Sequence, residues 1–255
     1  MRALADPFSV AHFSLSGLTK TGVLLLVLAA VAALVDWWSV SAPTSSPGRR
    51  ARVELMAKPA VLALLIGVAA TLHPLFPTTR GWFLGALAFC LAGDILLMLP
   101  GDKPVAFQGG LGAFLVGHAL FLVGLAKANA ATGSTLVALG VLVAVAGGPA
   151  FLVVRSILRK KDPALAVAVV VYVLALLTMA AAGWSAGLNG EPFGRNAWLC
   201  AGVSLFVLSD TLLAIDRFLR AIPRGKLAVH VTYHLAVIAI VISLAGVVPT
   251  AGPAL

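Results

Sequence analysis

The chain has 255 residues, 61% hydrophobic and 11% charged, with a mean hydropathy of +1.06 and a formal net charge of +9. That apolar content exceeds what one soluble core can hide, so an ordinary soluble domain is excluded and the chain belongs in lipid. The positive charge does not indicate a nucleic-acid partner, because its placement between apolar stretches follows a membrane-topology pattern.

A helix needs about 20 mostly apolar residues to cross roughly 30 Å of hydrocarbon, and eight such stretches follow one another. The first is predicted over residues 21–40 and ends near Trp37 and Trp38, which read as interfacial anchors. The second is predicted over 58–72, with an earlier start near Val53 as the alternative. Lys58-Pro59 then opens it at the membrane surface, where proline suits a first turn and the ammonium either reaches a phosphate or snorkels. The third, 81–99, carries Cys90 and Asp94, and the fourth, 107–126 or from 112, carries His118. Gly147-Gly148-Pro149 is predicted to break the fifth span, 134–154. Tyr172 lies mid-span in the sixth, 163–183, where packing is expected. The seventh, 197–215, holds Cys200 and Asp210, and the eighth, 227–248, holds His230, Tyr233 and His234.

Trp82 and Trp184 lie near span ends as further anchors, and His12 and His73 fall outside the spans, where solvation is expected. Cys90 and Cys200 lack metal-ligand spacing and read as buried, unreactive thiols. Lysine and arginine alternate across the connections, thirteen on one side and five on the other. The positive-inside rule then puts both termini outside and the basic loops on the cytoplasmic face of an inner membrane. The expected fold is all-α: a single polytopic transmembrane domain over 1–255.

Asp94 and Asp210 sit in matching contexts, Gly93-Asp94-Ile95-Leu96-Leu97 and Ser209-Asp210-Thr211-Leu212-Leu213, and each is followed 24 positions later by a histidine, His118 and His234. The recurrence suggests two parallel four-helix halves, about 21–126 and 134–248. An ionisable group at bilayer depth costs roughly 2.5 to 3.5 kcal/mol on insertion scales, which makes each aspartate a functional candidate. Its bland alternative is a helix-locking hydrogen bond. Two carboxylates crowded into a poorly solvated chamber favour one shared proton, which sets a general acid beside a general base. His118, His234 and Tyr233 are candidates to relay protons, orient water or contact a ligand. The histidines lack local chelate spacing, so no metal is expected.

On these residues the chain resembles the YhhN-like lysoplasmalogenase family. The matching marks are Lys58-Pro59, Gly93-Asp94 with Leu97-Met98, the series Phe107, Gly110, Phe114, His118, and Ser209-Asp210 with Leu213-Ala214 and Phe218. The chain departs at Phe121, where the family often has tyrosine, and near Val237, where it usually has glutamine. The resemblance implies eight transmembrane helices and hydrolysis of the vinyl ether bond of a lysophospholipid to a fatty aldehyde and a glycerophospho-alcohol, in contact with membrane lipids and without an organic cofactor. Protonating an enol ether and capturing the resulting cation with water suits two carboxylates, Asp94 and Asp210, with either one as the acid. The substrate phosphate is then expected near Lys58. A transporter built on paired intramembrane acids and a broken fifth helix is the competing expectation.

Overall fold

The computed structural model describes residues 18–41, 47–72, 77–99, 104–128, 133–189 and 196–245. His12, His73 and the last predicted residues of the eighth span lie outside them. Eight helices follow in order: α1 (Lys20–Ser41), α2 (Pro47–Thr71), α3 (Pro77–Leu97), α4 (Pro104–Ala128), α5 (Gly133–Arg159), α6 (Pro163–Asn189), α7 (Ala197–Phe218) and α8 (Gly225–Ser243). All eight are long and apolar enough to span a bilayer, and no strand occurs among the described residues. The chain is an all-α, polytopic integral membrane protein.

Four helices begin at a proline, whose missing N–H costs nothing in a first turn. Asp162 accepts from the Leu165 N–H at the start of α6, and Asn196 accepts from the Leu199 N–H at the start of α7. The Asn196 amide also donates to the Ser243 carbonyl at 2.9 Å, tying the start of α7 to the end of α8.

Two local expectations change. The second helix begins at Pro47, so Lys58 lies eleven residues inside it, roughly 16 Å along the axis, and is not a surface residue of a first turn. Arg49, Arg50 and Arg52 hide this start from a hydropathy reading, yet arginine is a good helix former and extends the helix beyond the hydrocarbon. The break at Gly147-Gly148-Pro149 does not form: α5 runs on to Arg159. Proline removes only one donor, and an opened backbone would find no water in lipid.

Sequential helices pair as α1/α2, α3/α4, α5/α6 and α7/α8, and the pairs meet through α2/α3, α6/α7, α4/α6 and α2/α8. The α8 helix is the most enclosed, whereas α1 and α5 are peripheral and turn residues such as Leu24, Val31, Leu34, Leu136, Val137 and Val145 outward toward lipid. Close approach depends on absent side chains. A Cβ on Gly202 would come within 3.0 Å of the Ala236 carbonyl of α8, and one on Gly93 within 2.6 Å of the Phe114 ring. The second contact lets Phe114 lie against α3 beside Asp94.

Candidate active site

Asp94, three residues before the end of α3, is fully buried. Its Oδ1 forms an ion pair with Lys58 Nζ of α2 at 2.9 Å, and its Oδ2 accepts from the Tyr233 hydroxyl of α8 at 2.9 Å. The depth of Lys58 inside α2 makes this possible: its ammonium is committed to a neighbouring helix within the bundle, with a side chain only 10% exposed. The ammonium also lies 5.7 Å from the Tyr233 ring centre.

Asp210 lies mid-bundle on α7, with a side chain 12% exposed. The Tyr172 hydroxyl of α6 donates to its Oδ2 at 2.5 Å, so Tyr172 belongs to the site and is more than packing. His118 of α4 is fully buried, with Nε2 3.9 Å from the same oxygen. Neither ring nitrogen of His118 has a hydrogen-bond partner among the described residues. Its ring meets Tyr172 and Phe206 edge-on, at 5.1 and 4.9 Å between centres.

No hydrogen bond or ion pair joins the two aspartates among the described residues. Phe206 lies between their partners, meeting His118 on one side and Tyr233 at 5.5 Å on the other. Cys90 and Cys200 are both buried free thiols.

The 24-residue interval does not pair each aspartate with its own histidine. His118 faces Asp210, whereas His234 turns to α1, where Trp37 Nε1 donates to its Nδ1 at 3.1 Å. The residue of α8 that reaches Asp94 is Tyr233, and neighbours on a helix point about 100° apart, which carries His234 to a different face. There it lies 3.8 Å from Asp36 Oδ2, the oxygen that His230 Nδ1 holds at 2.7 Å. Glu54 is 4.0 Å from His230 and 2.7 Å from Lys226. Asp36 and the bonding role of Trp37 escape the sequence reading, although Asp36 is as much an intramembrane acid as the other two. Among the described residues no three metal-binding side chains converge on one point.

Two cavities adjoin near the end of α7. An apolar cleft between α4, α5, α6 and α7, about 810 Å³ counting its open mouth, is walled by Ala146, Ala150, Val153, Leu176 and Val207, with Tyr172, Asp210, Thr211 and Arg217 as its polar points. A wider, polar cavity of about 1630 Å³, again with its mouth, opens where α2 and α8 begin and α3 and α7 end, among Arg52, Glu54, Lys58, Lys226 and His230. The two share Leu97, Phe107, Leu213 and Arg217, while Asp94 lines neither. An apolar slot joined to a charged vestibule has the polarity pattern of a single-chain amphiphile, with one carboxyl group in the wall of the slot.

The two family departures fall in packed core: Phe121 meets Phe83 edge-on at 5.0 Å, and Val237 is fully buried. The sequence model of the YhhN family matches residues 53–244. The chain is 30% identical over 253 residues to proteins named lysoplasmalogenase from Mycobacterium bovis and Mycobacterium tuberculosis, covering 92% of both chains in each case. It is 33% identical over 160 residues to lysoplasmalogenase TMEM86B of Sus scrofa, covering 63% of this chain and 62% of the relative. No solved structure matches the chain significantly.

Proposed function

This chain belongs to the YhhN family, and on that footing we propose that it hydrolyses the vinyl ether bond of lysoplasmalogens, with Asp210 as the proton donor. It is a membrane-embedded hydrolase whose relatives carry the lysoplasmalogenase name over nearly their whole length. The observation that carries the assignment is the position of Asp210 in the wall of the apolar cleft, 2.5 Å from the Tyr172 hydroxyl. Of the two aspartates, it alone borders the space where a lipid chain would lie.

The alkenyl chain occupies the cleft, and the glycerol and phosphate occupy the charged vestibule. Asp210 protonates the β-carbon of the enol ether, and the positive charge spreads over the α-carbon and the ether oxygen. The carboxylate left behind stabilises that cation and then takes a proton from water as the water adds to the α-carbon, which restores the acid. The hemiacetal so formed loses its hydroxyl proton while the ether oxygen gains one, and it collapses to fatty aldehyde and glycerophospho-alcohol. His118, buried beside Asp210 with neither ring nitrogen hydrogen-bonded among the described residues, orients that water. Tyr172 fixes the carboxyl rotamer. Asp94 acts as a positioning residue that holds Lys58 and Tyr233 in place, and Lys58 acts through Asp94.

The charged vestibule opens at the basic end of the bundle, which we assign to the cytoplasmic face of an inner membrane. We also read the two halves as descended from one duplicated unit: α6 packs on α4 as α2 packs on α8, whereas α1/α8 and α5/α7 have no counterpart among the described residues. Aldehyde release from a lysoplasmalogen by the purified protein tests the function; substrate accumulation in sealed vesicles without cleavage would favour transport.

A further inference from the structure

Glu54 of α2 and Lys226 of α8 both line the polar vestibule, and their side chains form an ion pair, Lys226 Nζ to Glu54 Oε2, at 2.7 Å. The partners are unequally held: the Glu54 side chain is 14% exposed and that of Lys226 59%. An ion pair with one partner so open to water contributes little, and another ammonium can take its place at small cost.

The second oxygen of Glu54, Oε1, lies 4.0 Å from Nε2 of His230, which lines the same vestibule. That gap is too long for a hydrogen bond between the two. On its other side His230 is fixed by the core, with Nδ1 2.7 Å from Oδ2 of the fully buried Asp36. A carboxylate only accepts, so Nδ1 carries the ring proton and the neutral imidazole presents Nε2 as a lone pair. Two acceptors therefore face each other across the gap, and the carboxylate that supplies one of them already holds an ammonium on its other oxygen. A nitrogen bearing several N–H groups reaches both acceptors at an ordinary hydrogen-bond length, about 2.9 Å.

We propose that Glu54 and His230 form the seat of a primary ammonium in the substrate headgroup, a seat that the Lys226 ammonium borders when no lipid is bound. An ammonium carries three N–H donors, which Glu54 Oε1, Glu54 Oε2 and His230 Nε2 together accept. Its charge meets the carboxylate, which makes these contacts stronger than those of a neutral donor. A quaternary ammonium brings the charge without an N–H, and an alkyl head brings neither. The seat thus selects an ethanolamine-type head over both.

This inference rests on the proposed function for its lipid class, and its test separates the two. Non-cleavable 1-O-alkyl lipids with glycerophosphoethanolamine, glycerophosphocholine and glycerophosphopropanol heads are bound to the full-length protein in detergent. The propanol head matches the ethanolamine head in shape and lacks its charge; its binding is measured again with free ethanolamine added. Aldehyde release from a lysoplasmalogen is followed in parallel. The wild type is expected to bind the ethanolamine form about tenfold or more tightly than the propanol form, the size of one charge-assisted contact. The choline form should fall between them. Free ethanolamine should leave propanol-form binding unchanged, as expected for a seat that reads a lipid headgroup. In Glu54→Gln the preference should drop to near unity. Lys226→Met breaks the same ion pair but leaves the carboxylate, so it should keep the preference. A preference that persists in monodisperse Glu54→Gln protein would overturn the assignment. So would an equal loss in Lys226→Met, which would mark the pair as structural, a choline form bound as tightly as the ethanolamine form, or enhancement of propanol-form binding by free ethanolamine. A Glu54-dependent preference without aldehyde release would sustain this inference while removing the proposed reaction.

Discussion

Lys58 and Asp94 hold each other at 2.9 Å between α2 and α3, with side chains 10% and 0% exposed. Removing one partner from a buried pair leaves an uncompensated charge, at a cost of about 3 to 5 kcal/mol, whereas removing both is far less costly. Lys58→Met and Asp94→Leu should each be strongly destabilised in detergent, and the double variant combining them should recover much of the loss. Unfolding midpoints of the four proteins check this; losses that simply add would show that the pair is not coupled.

Asp210→Asn should lower kcat by at least about 100-fold, the lower end for loss of a general acid. Tyr172→Phe should lower it less, roughly tenfold, as expected for loss of one hydrogen bond to a carboxyl group. Stopped aldehyde assays on monodisperse protein measure both. A Tyr172→Phe defect larger than that of Asp210→Asn would reverse the assigned roles.

The two histidines should separate cleanly. His118→Phe removes the groups beside Asp210 and is expected to reduce kcat by about 10- to 100-fold with little change in KM. His234→Phe breaks the contact with Trp37 and disturbs Asp36, none of which lines either cavity, and should lower the thermal midpoint more than it lowers kcat. Matched kinetics and thermal unfolding of the two variants decide between these outcomes and a shared catalytic role.

Ala150 lines the apolar cleft from α5. Filling that space with Ala150→Phe should shorten the alkenyl chain the protein accepts, so kcat/KM falls for long chains and is largely retained for short ones. The size of the effect for each methylene excluded is about 0.8 kcal/mol, or some fourfold in kcat/KM. A chain-length profile identical to that of the wild type would mean the chain lies elsewhere.

Apolar length alone makes the eight helices and the membrane setting legible, because hydrocarbon demands long, internally bonded helices. It also locates Asp94, Asp210, His118 and Tyr233 on the helices that build the site. Azimuth is what it lacks. A spacing of 24 places a histidine on the next helix without saying which way it points, so His234 ends beside Trp37 while Tyr233 takes the contact with Asp94. The depth of Lys58 is hidden by the arginines ahead of it, which look like loop yet are helical. Asp36 was within reach of the same physical criterion as the other acids, but its proximity to Trp37 and Trp38 suggests an interface when the structure puts it in the core. Tyr172 is obscured for the opposite reason, since a mid-span tyrosine looks like filling until its hydroxyl partner on another helix is known.

The most direct measurement is mass spectrometry of the products formed from a lysoplasmalogen in heavy water, with wild-type and Asp210→Asn protein side by side. Carbon protonation by Asp210, whose carboxyl proton exchanges with solvent, should give a fatty aldehyde bearing one deuterium on the carbon next to the carbonyl, together with the glycerophospho-alcohol. Asp210→Asn should give almost none. Unlabelled aldehyde from the wild type, or full-rate release from folded Asp210→Asn, would contradict the account.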